Sequence, residues 1–587
     1  MDALRGAVIL ARHAFQDTRG PRAVAWSVAV FLLLLAEVAT AGHYSVVQKH
    51  LITALQAKNA PVFKKSLWQV GGIILFISPI IALREYAAGM LGMNWRTSLT
   101  TRLARRYLTP PKGSERHPYY ALTLTGEIDN PDQRICQDVG HFVNSAVSFT
   151  QDMIRTTLSV LTFAPVLYSI SPTACLGGIA YAVTGTLVSA RGFGIWLGFY
   201  KMQSLQQEAT LRYKLIRVRE NAESIAFFDG GEAEWSKFKT SFDSLLQTLQ
   251  KTVMVAVGYG MLNRSFQWAT FAVTPLLVGP AYLEGKVEYG VIAQATMAFN
   301  IILEACTLVM QRLESLSDIS VRIRRLAALD QALEPTQREP GISRRQAHML
   351  RFQGVSLQTP RSDVCQVLFE NVSFEVPEGQ SLLVVGESGI GKSSLLRAAA
   401  GLWVKGCGTI ELCDRHSVFF MPQKPYMFLG SLKEQLLYPH ADDVRPDADV
   451  EEALRQVHLQ DLLDRHNLSD TKDWASLLSL GQQQRINFAR VLLRPSIQFA
   501  LMDECTSACD PENEMLLYQL LRQRLRSYVS VGHRPSLQNF HSHALWLRRS
   551  AFGPAEVTMH SMVEYQMMKK SIQQLSASLI IFLSKCL

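Results

Sequence analysis

Long apolar stretches are concentrated in the first 310 of the 587 residues. Each reaches the length of about 20 mostly apolar residues that a helix needs to cross a bilayer. There are six such stretches, at roughly 24–44, 67–91, 144–168, 171–195, 255–280 and 289–312. The third and fourth are separated only by a short sequence ending near Pro172, so we predict a tight hairpin there. Residues 340–550 instead alternate short apolar strands with amphipathic helices, which is typical of a soluble α/β domain.

Two long polar segments, about 92–143 and 196–252, lie between the predicted spans. Both contain basic helical sequence, such as WRTSLTTRLARRYL and LRYKLIRVRE. Lys and Arg gather in loops on the cytoplasmic side of membrane proteins, so we place both segments and both termini there. Four lysines in the first outer loop oppose this orientation. We keep the orientation because of the motifs in the second half of the chain.

The composition supports two dissimilar halves. The chain carries a formal charge of +9, with 48% hydrophobic and 19% charged residues. It is too long for one ordinary domain and too apolar for a disordered chain. The pattern also excludes a fully soluble enzyme and a pure membrane bundle. We expect no nucleic-acid partner, because no basic stripe interleaves with aromatic residues, and no secretory signal, because no cleavage site follows a short apolar core.

The nine cysteines are scattered and form no C-x-x-C pair. A zinc site would need closely paired ligands, and a disulfide framework is typical of short secreted chains with an even number of cysteines. We therefore interpret the cysteines as reduced thiols.

Several charged residues fall within or near the predicted spans. They are Glu37, Arg84, Asp152, Arg155, Arg191, Arg264 and Glu304. A charge facing lipid costs several kcal/mol, so such residues usually face a cavity or a partner. The alternative is that the helices continue beyond the lipid into the cytosol. If Arg84, Arg155, Arg191 and Arg264 line a cavity, they form a candidate cargo site for an anion.

A phosphate-binding loop is predicted in the second half. Residues 381–397 read SLLVVGESGIGKSSLLR, an apolar strand, a Gly-rich turn and a helix. Its turn matches G-x-x-x-x-G-K-[ST], in which backbone N–H groups and the helix N-terminus cradle phosphates. Lys392 would reach the outer phosphates and Ser393 would bind Mg²⁺. The candidate ATP-binding residues are Gly386, Glu387, Ser388, Gly389, Ile390, Gly391, Lys392, Ser393, Ser394 and Gln423.

Candidate catalytic residues follow later strands. The strand IQFALMDE ends in Asp503, which could hold Mg²⁺, and Glu504, which could polarise the attacking water. His533 ends the strand VSVGH and could contact the γ-phosphate. Gln423 would lie near both Mg²⁺ and the water. We thus predict Glu504 and His533 as catalytic, and Ser393, Gln423 and Asp503 as the Mg²⁺ site.

A second anion site is predicted where a helix begins in LLSLGQQQR. Ser479, Gly481 and Gln482 lie at this helix start. An amphipathic helical stretch separates them from the phosphate-binding loop, so they cannot reach the same ATP. We infer that two copies face each other head to tail, each completing the other's site.

Together these motifs resemble an ABC transporter half-molecule of the subfamily D type. The strings that carry the resemblance are EIDNPDQRICQDV (127–139), ENAESIAFFDGGEAE (220–234), MPQKPYMFLGSLKEQLLYP (421–439) and DWASLLSLGQQQR (473–485). The resemblance implies a six-span α-helical transmembrane domain of the exporter fold and a P-loop α/β nucleotide-binding domain. It also implies ATP and Mg²⁺ as cofactors and a homodimer or heterodimer with a related half-transporter. IDNPDQR and ENAES…FFDGGEAE would form elbows that dock on the nucleotide-binding domains.

We accordingly expect five regions along the chain. They are a cytosolic N-terminal segment (1–23), the transmembrane domain (24–330), a linker (331–347), the nucleotide-binding domain (348–550) and a C-terminal tail (551–587). The nucleotide-binding half must face cytosolic ATP, which supports the orientation given above.

The expected function is ATP-driven movement of an amphipathic or lipid-like molecule across a membrane. Within the family the resemblance favours fatty acyl-CoA, with cobalamin or a peptide as the alternative cargo. A non-transporting membrane ATPase or gated regulator is the alternative of another class. The protein would be multi-pass; the peroxisomal membrane is favoured, with another organelle or a bacterial plasma membrane as alternatives.

Overall fold

The computed structural model describes residues 20–111, 117–126, 128–311, 313–334, 341–359, 366–403, 405–440, 445–550, 553–572 and 574. The chain divides into two compact units. The helical unit comprises residues up to 105 together with 130–332, and the nucleotide unit comprises 106–129 together with 333–587. The expected N-terminal segment falls largely outside the described residues, whereas residues 553–572 and 574 of the expected C-terminal tail are described.

The first ten helices, in chain order, are α1 (Gly20–Gln56), α2 (Ala60–Leu108), α3 (Pro118–Thr125), α4 (Pro131–Ile170), α5 (Pro172–Ser189), α6 (Ile195–Glu220), α7 (Ala222–Phe227), α8 (Gly231–Leu283), α9 (Tyr289–Gln311) and α10 (Leu313–Ala332). α3 belongs to the nucleotide unit. Short π-helical segments interrupt α4 at Arg134–Asp138 and join α5 to α6 at Ala190–Gly194.

Within the described residues, α1, α2 and α4 are long and apolar enough to cross a membrane. Two shorter apolar helices, Cys175–Gly185 and Tyr289–Ala305, cover parts of the predicted fourth and sixth spans. The predicted fifth span lies inside α8. Apolar helices therefore dominate this unit, while the count of six spans stays a prediction. The predicted tight hairpin is confirmed, because α4 ends at Ile170, Ser171 is extended and α5 begins at Pro172.

An apolar core joins the ends of α4, α5, α8 and α9, with Phe163, Leu167, Val278 and Phe299 almost fully buried. α6 and α8 pack along each other as a long hairpin that α7 closes. At the closed end Asp229 takes the left-handed conformation (φ 49°). Phe227 and Phe228 are 80% and 85% exposed there.

A buried ion-pair cluster fixes the start of α4. The Asp138 carboxylate is 1% exposed and lies 2.9 Å from Nη1 of Arg322 and 3.1 Å from Nη1 of Arg325, both on α10. Arg134 Nη1 donates to the Arg325 carbonyl at 2.7 Å. The helical part of IDNPDQR is thus held inside the helical unit. Docking of this elbow on a nucleotide-binding domain stays a prediction; α3 falls in the nucleotide unit.

The strands of the nucleotide unit are β1 (Ser343–Gln346), β2 (Leu350–Gln358), β3 (Val367–Val376), β4 (Ser381–Gly386), β5 (Gly406–Leu412), β6 (Val418–Met421), β7 (Leu429–Ser431), β8 (Thr471–Asp473), β9 (Phe499–Asp503), β10 (Ser527–Val531), β11 (His543–Arg548) and β12 (Glu556–Ser561). Its remaining helices are α11 (Lys392–Ala399), α12 (Leu432–Leu437), α13 (Asp447–Gln456), α14 (Gln460–Arg465), α15 (Trp474–Leu477), α16 (Leu480–Leu492) and α17 (Pro511–Arg524).

The main sheet has six strands in the order β12-β11-β4-β10-β9-β6. All neighbours are parallel except the pair β11 and β12. β9 and β10 are buried at every position, which explains why FALM reads as an apolar run rather than an alternating one. A four-stranded sheet, β1-β5-β2-β3, completes the unit. The carboxyl ends of β4, β6, β9 and β10 meet at one edge, where parallel sheets bind ligands.

Acid is expected to destabilise the nucleotide unit through His541. This residue is 6% exposed and its Nδ1 lies 2.7 Å from the Leu537 carbonyl. Burial lowers the His541 pKa from 6.5 to about 4. The neutral ring therefore favours the folded state fully above pH 6.5, and this stability is lost as the pH falls toward 4. The loss amounts to about 3 kcal/mol.

Unfolding midpoints measured between pH 4.5 and 7.5, roughly the window of that pKa shift, test this expectation. His541→Gln is the matched variant, because it cannot titrate in this range. Its midpoint should fall less steeply with acid than that of the unmodified protein. Equal slopes for the two proteins would contradict the assignment.

Candidate active site

The phosphate-binding loop connects β4 to α11. Gly389 and Gly391 have φ values of 78° and 107°, which favour glycine. A Cβ on Gly391 would lie 2.9 Å from the Phe369 ring, so the site also lacks room for a side chain. The nine predicted loop residues, 386–394, run from the end of the strand to the first turn of the helix. The motif thus lies between a strand end and a helix start, the setting in which backbone N–H groups bind phosphate.

Lys392 folds back over this loop. Its Nζ donates to the carbonyls of Gly386 at 2.9 Å and Glu387 at 2.8 Å. The side chain is almost fully buried, and this burial lowers the Lys392 pKa, opposed by the nearby Glu504 and Asp503 carboxylates. An ammonium group that donates to neutral carbonyls is well placed to exchange them for phosphate oxygens.

Ser393 and Asp503 meet at the ends of α11 and β9. The Ser393 hydroxyl donates to Oδ1 of Asp503 at 2.9 Å. Burial raises the Asp503 pKa, an effect that the Ser393 hydrogen bond opposes. Mg²⁺ prefers oxygen ligands and commonly binds one or two protein groups together with phosphates and water. This hydroxyl and carboxylate pair fits such an ion. Gln423, the third predicted ligand, contacts Glu504 instead.

Glu504 lies at the centre of the sheet edge. It has a left-handed backbone (φ 46°), an uncommon conformation for this residue type that is often associated with functional sites. Its Oε2 accepts from Gln423 Nε2 at 3.0 Å, and its Oε1 lies 3.4 Å from His533 Nε2. The structure therefore brings Glu504 into contact with Gln423, which the sequence placed near Mg²⁺ and the water, and with His533, which it placed near the γ-phosphate.

The predicted second anion site begins α16. Ser479 caps the helix: its hydroxyl accepts from the Gln482 backbone N–H, and the Gln482 side chain accepts from the Ser479 N–H. Ser479 is exposed in the single chain. A Cβ on Gly481 would lie 2.7 Å from the Ala508 carbonyl oxygen, so only glycine allows this close approach.

Three further polar residues at this edge escaped the sequence reasoning. Gln484 is fully buried and its side chain donates to the Gln423 carbonyl at 2.9 Å. Glu514 is also buried, and Arg534 lies 3.3 Å from it. The available signals were the run of three glutamines after Gly481 and the arginine directly after His533.

The four arginines of the candidate cargo site have different surroundings. Arg84 lies 2.9 Å from Glu37 and donates to Gln151 at 3.1 Å, while Arg155 lies 3.7 Å from Glu304. Arg191 and Arg264 are exposed. Arg84 and Arg155 thus already have acidic partners, which removes half of the free positive charge that the anion hypothesis assumed.

Comparisons with known proteins agree with this geometry. Residues 17–283 match the family model "ABC transporter transmembrane region 2", and residues 369–507 match the model "ABC transporter". An uncharacterised ABC transporter ATP-binding protein of Synechocystis sp. is 37% identical over 516 residues, covering 85% of this chain and 77% of that protein. The chloroplastic ABC transporter D family member 2 of Arabidopsis thaliana is 32% identical over 596 residues, covering 88% of this chain and 82% of that protein. The human lysosomal cobalamin transporter ABCD4 is 30% identical over 535 residues, covering 84% of this chain and 86% of that protein.

An ATP-binding site at this sheet edge, in a chain that also carries long apolar helices, defines an ATP-binding cassette half-transporter. The chain belongs to subfamily D of the ABC transporters. It is a membrane-embedded protein that binds ATP and couples its hydrolysis to transport.

Proposed function

We propose that two chains form the working transporter, as a homodimer or with a related half-transporter. Each ATP would lie between the phosphate-binding loop of one chain and the start of α16 in the other. The exposed Ser479 cap and the close-packed Gly481 support this arrangement, because they present an anion-binding helix start to solvent. The exposed Phe227 and Phe228 also suit contact with a second protein surface.

Hydrolysis is proposed to depend on the residues around Glu504. When bound, Mg²⁺ would be held by Ser393 and Asp503 and would neutralise phosphate charge. Lys392 would exchange its backbone carbonyls for phosphate oxygens. Glu504 would take the proton of the attacking water, while Gln423 and His533 hold its carboxylate in place. The observation that carries this proposal is the contact of Glu504 with both Gln423 and His533.

The proposed cargo is an amphipathic or lipid-like molecule, and fatty acyl-CoA is favoured. The exposed cations Arg191 and Arg264 support an anionic head group. Arg84 and Arg155 support it less, because each already lies beside an acidic residue. Cobalamin is the cargo named for the human lysosomal relative, and it is therefore the first alternative, with peptides as the second. An acyl-CoA cargo would suit a peroxisomal membrane. Because relatives are named as chloroplastic and lysosomal, another organelle membrane or a bacterial plasma membrane is the alternative.

A ligand-stimulated ATPase assay on the purified protein in lipid tests the cargo. We expect oleoyl-CoA to stimulate phosphate release more than free CoA, cobalamin or a peptide mixture. The double variant Arg191→Gln and Arg264→Gln should need more oleoyl-CoA for the same stimulation. Arg526→Gln, on the surface of the nucleotide unit, is the matched control.

Stimulation by cobalamin alone, or an unchanged response of the double variant, would contradict the acyl-CoA proposal. Transport of labelled ligand into sealed vesicles separates a transporter from a non-transporting ATPase. Stimulated ATP hydrolysis without accumulation of labelled ligand in the vesicles would favour the alternative class, a non-transporting ATPase or gated regulator.

A further inference from the structure

The turn that follows Glu504 is held from two sides by side chains. This SACD turn comprises Ser507–Asp510. From α16, Gln484 donates to the Ser507 hydroxyl at 3.1 Å and accepts from the Ala508 N–H at 3.0 Å. From the opposite side, Arg534 donates to the Ser507 carbonyl at 2.9 Å and to the Cys509 carbonyl at 2.7 Å. The turn therefore cannot move without breaking hydrogen bonds to α16, to Arg534 or to both.

A buried carboxylate holds Arg534 in this position. Glu514 on α17 is 1% exposed and lies 3.3 Å from Nη1 of Arg534. Its remaining lone pairs accept from the hydroxyls of Thr506 at 2.9 Å and Ser536 at 2.6 Å. A buried carboxylate satisfied in this way is rigid, and it orients the planar guanidinium toward both carbonyls of the turn.

Arg534 also directly follows His533, the residue 3.4 Å from Glu504. One short segment, 533–534, thus contacts both the Glu504 carboxylate and the turn that Glu504 precedes. On its other face the turn touches the start of α16. The Ala508 carbonyl oxygen lies so close to Gly481 there that a larger residue would not fit. The contacts form a continuous path from the start of α16 through the SACD turn to Glu504.

We propose that Arg534 and Glu514 are positioning residues for ATP hydrolysis. They hold the SACD turn so that the position of the α16 start sets the placement of Glu504 and His533. Occupation of the anion site on α16 would then be communicated to the hydrolytic residues of the same chain. This inference rests on the proposed roles of Glu504 and His533, and it adds two residues that act through the SACD turn.

The expected result is a loss of turnover without a matching loss of ATP binding. Arg534→Ala should lower kcat about 10- to 100-fold, because small displacements of catalytic groups have effects of that size. The KM for ATP should change by less than about threefold, a shift under 1 kcal/mol. Arg534→Lys should recover part of the rate, since an ammonium keeps the charge but cannot bridge both carbonyls. Glu514→Gln should resemble Arg534→Ala, and the double variant should be no slower than the slower single variant, because the pair acts as a unit.

The matched control is the exposed pair Arg526 and Glu378, whose atoms lie 2.5 Å apart. Arg526→Ala and Glu378→Gln should leave kcat unchanged. Unchanged kcat in Arg534→Ala would overturn the proposal. So would equal losses of kcat, ATP binding and thermal stability in both Arg534→Ala and Arg534→Lys, because that pattern assigns the pair a purely structural role. Glu504→Gln is measured in parallel: normal turnover there would refute the assignment of Glu504, a failure distinct from that of the positioning pair.

Discussion

Glu504→Gln is expected to stop ATP turnover while ATP stays bound. The amide keeps the shape of the carboxylate but cannot accept the proton of the attacking water. General-base catalysis commonly contributes about 100- to 10,000-fold, so phosphate release should fall by that factor. With Mg-ATP the variant should also accumulate as a dimer, because the nucleotide proposed to join two chains would no longer be cleaved. Phosphate release, bound radiolabelled ATP and chromatographic size measure the three outcomes.

Lys392→Ala is the control that separates binding from catalysis. It removes the cation that lies over the phosphate-binding loop, so it should bind ATP weakly and stay monomeric in the same assay. Normal phosphate release by Glu504→Gln would exclude Glu504 as the base. A Glu504→Gln protein that retains Mg-ATP but stays monomeric in its native membrane, alone and with a related half-transporter, would exclude the shared nucleotide site.

Asp138→Ala is expected to destabilise the helical unit strongly. The variant leaves Arg322 and Arg325 without the buried carboxylate that both of them contact. Removing one partner of a buried ion pair typically costs about 3–5 kcal/mol, since the remaining charge stays poorly solvated. The thermal unfolding midpoint of the purified protein in detergent should therefore fall markedly, together with the yield of folded protein.

Glu234→Gln provides the comparison for Asp138→Ala. Glu234 pairs with Lys237 at 2.7 Å on the exposed surface of α8, and surface pairs add little to stability. The thermal unfolding midpoint of Glu234→Gln should match that of the unmodified protein. Equal midpoints for Asp138→Ala and Glu234→Gln would mean that the buried cluster contributes nothing to folding.

The residues around ATP could be predicted because each follows an apolar strand within a few positions. Lys392 follows β4, Gln423 follows β6, Glu504 follows β9 and His533 follows β10. Parallel strands carry their carboxyl ends to one edge, so local sequence was sufficient to bring these residues together. The helix start at Ser479 was equally local, because a capping box spans only four residues.

The polar contacts between distant segments could not be predicted in this way. Asp138 and Arg322 are 184 positions apart, and no local pattern pairs them. The same holds for Arg84 with Glu37, which sequence reasoning treated as separate charges in separate spans. The packing around IDNPDQR is another example: the motif marks a helix start, but local sequence does not show that α10 packs against it.

The length of α8 has a consequence for how motion spreads through the helical unit. Its 53 residues form one continuous helix. At 1.5 Å per residue it extends about 80 Å, well over twice the roughly 30 Å of a bilayer core. Pro275 and Pro280 lie inside its C-terminal part, so the stretch before them, about 66 Å long, is the lever. A tilt of about 5° at one end of that stretch displaces the other end by roughly 6 Å. Sub-ångström rearrangements near the pivot can therefore be enough to change the width of a passage for a small molecule.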